Sequence, residues 1–376
     1  MSVEETISLA DPVLGEKEKK ALCAVIDSGW LTMGERVAAF ERAFAKLHRA
    51  PDAVAVNSCT AGLHLCLKAL NIGPGDEVLV PSLTFVATVN AVLYTGATPI
   101  FVDIEDILTP HISLSDAQTK CTQKTKAIIV MHYGGYPVSL PAWRSFADAK
   151  GLKLVEDAAH APAIDRVGSW GDAAAFSFFT NKNMCTAEGG MILARDSAVL
   201  CRIRQMRSHG MTSLTLDRYR GHAFSYDVTE LGYNYRMDEL RAAIGLAQLE
   251  RLQEWNRYRR ELSNLYRDML RAQLPDVTVP FNPEQETAAH LMAVLLPEGS
   301  NRDAIMSHLR QNGIQSSIHY PPVHLFSYYR ERFGKCDLKN AEMFFARELT
   351  LPLHPALSTT HIKRVVETLA NALAQH

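Results

Sequence analysis

Glu156, Asp157 and His160 stand together in the run LVEDAAH, residues 154–160, and Ser177 and Lys182 follow in AFSFFTNK, residues 175–182. A carboxylate, an imidazole, a hydroxyl and a primary amine are thus brought close in sequence. An amine can form a Schiff base with an aldehyde, and a carboxylate can pair with a pyridine nitrogen and keep it protonated. A hydroxyl can bind a phosphate. Together these are the needs of pyridoxal phosphate, with Lys182, Asp157 and Ser177 in the three roles. The same residues also read as a solvated loop lysine and a strand-end aspartate capping a turn. Spacing alone leaves both readings open.

Such a set needs elements to deliver it. Leu152 to Val155 and Ala173 to Phe179 are short apolar runs with the signature of buried strands, and ligands sit at the C-terminal ends of strands in open α/β sheets. Further strands are expected at Ala53–Val56, Val78–Val80, Pro99–Val102, Ala127–Met131 and Gly189–Ala194. Helices are expected at Glu16–Ser28, Val37–Leu47, Phe85–Tyr94 and Ala142–Ala149. This alternation predicts a mostly parallel sheet. No GxGxxG follows any strand, which weighs against a dinucleotide enzyme. Asn57 to Gly62 opens a helix through Leu70, whose N-terminus either binds a phosphate or carries an ordinary Ser/Thr cap. Ser208 to Tyr235 reads as a long irregular segment. Arg207, His209, Arg218, Arg220 and His222 in or beside it either meet a diphosphate or are simply solvated. Apolar stripes at Met237, Leu240, Ile244 and Ala247, and at Leu262, Leu265, Tyr266 and Met269, mark two helices. The boundary between a large domain, 1–251, and a smaller C-terminal domain, 252–376, is placed at their junction. In the latter, strands at Leu291–Leu296 and Ile314–His319 and helices at Arg302–Gln311 and Ile362–Leu373 predict an α+β unit.

The segment Glu156-Asp157-Ala158-Ala159-His160, the Ser177-Phe178 pair with Lys182 five residues after the serine, and Glu188-Gly189-Gly190 resemble the DegT/DnrJ/EryC1/StrS sugar aminotransferases. The resemblance runs through nearly the whole chain. It implies a fold-type I pyridoxal phosphate enzyme of α/β class, with Lys182 carrying the cofactor and Asp157 meeting the pyridine nitrogen. It also implies a His160 contact to the ring region, Phe85 stacked on the pyridine, and Thr60 with the backbone around Ala61 in a phosphate cup. Asn234, in Asn234-Tyr235-Arg236-Met237, would reach the cofactor phosphate of the other subunit, which implies a homodimer with shared active sites. His319-Tyr320 resembles a segment bordering the substrate pocket, and His354-Pro355 does so more weakly. The implied reaction moves an amino group from an amino-acid donor, glutamate, to a keto sugar linked to a nucleotide diphosphate. A keto-cyclitol acceptor is the alternative within the same chemistry. The dehydratase branch of the family replaces the lysine by histidine, and Lys182 argues against it. Cys59 and Ala187 stand where the family commonly has glycine, which keeps a non-catalytic cofactor-binding regulator as a third reading.

The remaining properties narrow the class. The chain has 376 residues, 47% hydrophobic and 21% charged, with a formal net charge of -2. That length accommodates two domains, and the charge gives no case for nucleic acid or an anionic membrane. Seven cysteines without metal-like spacing predict free thiols, no metal site and a cytoplasmic setting. The stretch MSVEETISLADP lacks an apolar signal core, and no apolar run reaches the length of a membrane span.

Overall fold

The computed structural model describes residues 6–213, 221 and 225–375. Seven strands form the central sheet: β1 (Val54–Val56), β2 (Glu77–Pro81), β3 (Thr98–Val102), β4 (Thr125–Met131), β5 (Lys153–Asp157), β6 (Ala173–Ser177) and β7 (Gly190–Ala194). Their order is β1-β7-β6-β5-β4-β2-β3. β7 runs antiparallel to both its neighbours, and the remaining pairs are parallel. Strands β2 to β6 therefore end on one edge, where their last residues can share a site.

Successive residues of a strand face opposite sides of a sheet. In β4, Ala127 and Ile129 enter one buried cluster, and Ile128 and Val130 enter the other. Both faces are covered by helices, which is why these strands read as continuous apolar runs rather than alternating ones.

The C-terminal part has its own core around β8 (Met292–Leu295) and β9 (Glu348–Leu351), an antiparallel pair. The strand expected at Ile314–His319 does not form. Only Ile314 and Ser317 make isolated bridges, to Ile7 and Thr350. The reason is local: the His319 N–H donates to the Glu348 carboxyl group at 2.9 Å instead of to a neighbouring strand. β9 takes the ladder in its place, its signal masked by the buried Glu348 with which it opens.

Helix Leu252–Gln273 spans 22 residues. Leu252 lies in a core cluster of the large sheet, whereas Leu262, Tyr266 and Leu270 lie in the small core. Ile7 also packs into the small core, and its backbone pairs with Gly313 and Gln315 at 2.8 and 2.9 Å. The start of the chain thus crosses to the C-terminal unit, although the sequence reading counted it with the large one. No helix among the described residues is long and apolar enough to cross a membrane.

Candidate active site

A cavity of about 500 Å³ opens at the C-terminal ends of β4, β5 and β6. Asp157, the last residue of β5, lines it and is only 3% exposed. Thr88 on helix Val86–Tyr94 donates its hydroxyl to Asp157 Oδ2 at 2.6 Å, and the Ala159 N–H reaches Oδ1 at 3.2 Å. Thr84 Oγ1 lies 2.7 Å from the Thr88 hydroxyl and 3.0 Å from Met131 Sδ, to which it donates. Burial lifts the Asp157 carboxyl above the usual carboxylate range, against the pull of Thr88, Ala159 and Lys182. A buried carboxylate of this kind is held ionised by a cation placed against it. A protonated ring nitrogen would supply one.

Lys182 lies on the loop after β6 and lines the same cavity. Burial draws its amine down to about 8, with Asp157 and then Cys59 acting the other way. An amine in that range is a competent nucleophile near neutral pH. Its Nζ lies 3.4 Å from His290 Nε2.

At one side of the cavity, Ser58, Cys59 and Thr60 form the start of helix Cys59–Ala69. First-turn N–H groups have no partner within the helix and favour an anion. Ser58 Oγ caps the turn by accepting from the Ala61 N–H at 3.1 Å, so this particular Ala61 donor is already engaged. Gly190 allows the turn to sit hard against β7. A Cβ there would lie 2.8 Å from backbone atoms of Ser58, Cys59 and Phe176. Cys59, the departure from glycine, stays neutral: burial holds its thiol far above the ordinary range. Ser177, the last residue of β6, faces the same cavity, as does the half-exposed ring of Phe85. The helix N-terminus, Ser177, Asp157 and Lys182 therefore fit a phosphorylated pyridine aldehyde.

His160 lines the same cavity and is 1% exposed. Its Nδ1 accepts the Gly134 N–H at 3.3 Å, and its Nε2 meets the Tyr320 hydroxyl at 3.0 Å. With Nδ1 accepting, Nε2 carries the proton and Tyr320 O accepts it, leaving the Tyr320 O–H available to a ligand. Burial, and then the charge of Lys182, hold His160 well below the usual histidine range, so it stays neutral.

Two expected placements need correction. Glu156 is not in the cavity: it is fully buried and accepts from the N–H groups of Gly168, Trp170 and Gly171 and from His132. It shapes the loop before β6, because one residue along a strand reverses the face. Arg207, offered as a diphosphate ligand, is 1% exposed and bonded to Glu41 and to the Ala55 carbonyl. Arg218, Arg220 and His222 lie outside the described residues. His209 is exposed, and Asn234 is exposed beside Asn57, whose side chain reaches the Asn234 carbonyl at 3.4 Å. Asn234 does not line its own chain's cavity. Ala187 adopts φ 67°, which accounts for a glycine preference at that position.

The sequence reading passed over Thr88, Asn183 and His290. Thr88 follows Phe85 at helical spacing and was open to detection. His290 gives no sign in a single sequence, since it is an isolated histidine before a strand. No cluster of potential metal ligands occurs among the described residues.

Residues 12–370 match the DegT/DnrJ/EryC1/StrS aminotransferase family. The chain is 38% identical over 370 residues, 95% of each chain, to the spore coat polysaccharide biosynthesis protein SpsC of Bacillus subtilis (strain 168). Its fold superposes with a TM-score of 0.91 on Helicobacter pylori PseC, an aminotransferase involved in the biosynthesis of pseudoaminic acid, at 27% identity over 99% of this chain and 100% of the other. Spr1654 of Streptococcus pneumoniae, solved in a PLP-form, superposes with a TM-score of 0.89 at 28% identity over 98% of this chain and 99% of the other. Its PMP-form gives 0.88 at 28% identity over the same shares. Taken with the lysine, the buried aspartate and the helix-capped cavity, these matches settle the assignment: the chain belongs to the DegT/DnrJ/EryC1/StrS aminotransferase family.

Proposed function

We propose that this protein uses pyridoxal phosphate to transfer an amino group from glutamate to a keto sugar carried on a nucleotide diphosphate. The observation that carries the cofactor reading is that the Lys182 amine and the Asp157 carboxylate face one cavity whose side is the N-terminus of helix Cys59–Ala69. The sugar reading draws on the relatives, since SpsC and PseC are named for carbohydrate biosynthesis.

When bound, the cofactor supplies an aldehyde for amine exchange and a protonated ring that accepts electron density. Lys182 would hold it through its amine, and that amine, when free, would take a proton from the reacting carbon and return it. Asp157 stabilises the ring cation, and Thr88 fixes the carboxylate's orientation. Ser177, Thr60 and the backbone around Ala61 seat the phosphate, Phe85 covers the ring, and His160 borders it. Asn234 serves the site of a second copy, in a homodimer working in the cytoplasm. Its exposure outside its own cavity supports that role.

Borohydride reduction of the protein loaded with pyridoxal phosphate, followed by peptide mapping, is expected to label Lys182. A label on Lys153 or another lysine overturns the assignment. The amine-loaded protein is then offered a panel of keto sugar nucleotides and a free keto-cyclitol, and return of the aldehyde form is followed by absorbance. Turnover of the cyclitol alone would replace the acceptor named here.

A further inference from the structure

Asn256, Asn183, His290 and Lys182 form a buried chain of hydrogen bonds whose polarity is fixed from one end. Asn256 Nδ2 donates to the Pro162 carbonyl at 2.9 Å. A carbonyl can only accept, so the Asn256 amide oxygen points the other way, to Asn183 Nδ2 at 2.8 Å. Asn183 Nδ2 also donates to the Ala288 carbonyl at 2.7 Å, a second pure acceptor that sets the same orientation. The Asn183 Oδ1 therefore faces His290 Nδ1, 2.8 Å away, and that nitrogen must carry the proton. The remaining ring nitrogen, Nε2, presents its lone pair to Lys182 Nζ at 3.4 Å. Asn183, Asn256 and His290 are each no more than 5% exposed, so water does not compete for these bonds.

We propose that His290 is a positioning residue for the reaction: locked in one tautomer by Asn183, it accepts an N–H of the free Lys182 amine and parks it at the cavity wall. The proposal rests on the reading of Lys182 as the cofactor lysine. His290 does not store the proton. Burial, the neighbouring His160 and the Lys182 charge hold it well below the ordinary histidine range, and it stays neutral. The groups facing it are His160, Lys182, Arg259 and His319, and those facing Lys182 include Asp157 and Cys59. A neutral acceptor binds an ammonium more strongly than an amine. It thus opposes the burial that draws Lys182 down, and it directs where the amine lies when detached.

The test follows covalent attachment of pyridoxal phosphate to the cofactor-stripped protein by absorbance against pH, with borohydride mapping of the attachment point. Wild-type attachment should rise through an inflexion near the Lys182 value of about 8. In His290→Leu the inflexion should move to lower pH, and the plateau rate should fall on the order of tenfold. Asn183→Leu, which frees the other tautomer, should act in the same direction. His290→Gln, whose amide oxygen can accept, should restore both. A loosened structure would admit water and move the inflexion up toward the ordinary 10.5. An upward shift, no shift, or a His290→Gln that behaves like His290→Leu overturns the proposal. Should His290→Leu fail to fold, the His290→Gln and Asn183→Leu pair decides. A label away from Lys182 overturns the cofactor reading and this proposal together. A label on Lys182 with an unmoved inflexion overturns this proposal alone.

Discussion

Asp157 and Glu348 show how burial sets the behaviour of single carboxylates here. Asp157→Asn keeps the shape and the Thr88 contact but removes the anion opposite the ring. We expect the fold to persist, by circular dichroism, and turnover to fall by about a hundredfold or more. Glu348 is fully buried, and burial pushes it from 4.5 up to about 8, against the bonds from Thr350 and the His319 N–H. Its folded form holds a proton that the unfolded chain releases. The stabilisation is therefore complete below 4.5 and is lost as pH rises to about 8. The melting temperature of the wild type relative to Glu348→Gln should therefore fall as pH rises through that window. Buried histidines such as His48 and His64, held down to about 4, act in the opposite direction but equally in both proteins, and cancel in the difference. A difference that does not change with pH would place the ionisation elsewhere. Lys182 acts in a separate window, since its depressed folded value makes stability rise between about 8 and 10.5.

At the scale of elements, the cup depends on how closely two backbones approach. Gly190→Ala would put a Cβ 2.8 Å from Ser58, Cys59 and Phe176 backbone atoms that have little room to move. It should destabilise the fold by about 1–3 kcal/mol and weaken retention of pyridoxal phosphate during dialysis. Normal retention in a folded variant would show that the turn does not form the cup. The strands that position Asp157 and Ser177 were legible because they are buried on both faces and so are apolar without interruption. The β9 strand was hidden, because its first residue is a glutamate whose burial only the tertiary structure reveals. Ile314–His319 misled for the converse reason, since its two isoleucines belong to a loop that carries Tyr320 to the cavity. The pairing of Lys182 and Asp157 in one cavity was open to expectation from the family resemblance, whereas His290 comes from 108 residues further along the chain than Lys182 and gains meaning only through Asn183.

For the whole molecule, the prediction concerns pairs of chains. If Asn234 completes the partner's site, mixing Lys182→Ala with Asn234→Ala subunits should restore part of the activity. Each mixed dimer would hold one site with both lesions and one with neither. Mass spectrometry can verify that subunits exchange. Exchange without recovery would mean that each chain carries a complete site.

Helix Leu252–Gln273 ties the lysine to the rest of the molecule. Its first residue is set in the large core, and Asn256, which anchors the hydrogen-bond chain, follows one turn later. Leu270, in the small core, lies about 27 Å along the same rod. The rod is set in the large core at Leu252, one turn from the residue that anchors the hydrogen-bond chain. A swing of about 5° about that end carries Leu270 through about 2.4 Å, but Asn256, about 6 Å from Leu252, through only about 0.5 Å. Any tilt of the C-terminal core about that end would therefore leave Asn256, and the hydrogen-bond chain it anchors, almost in place.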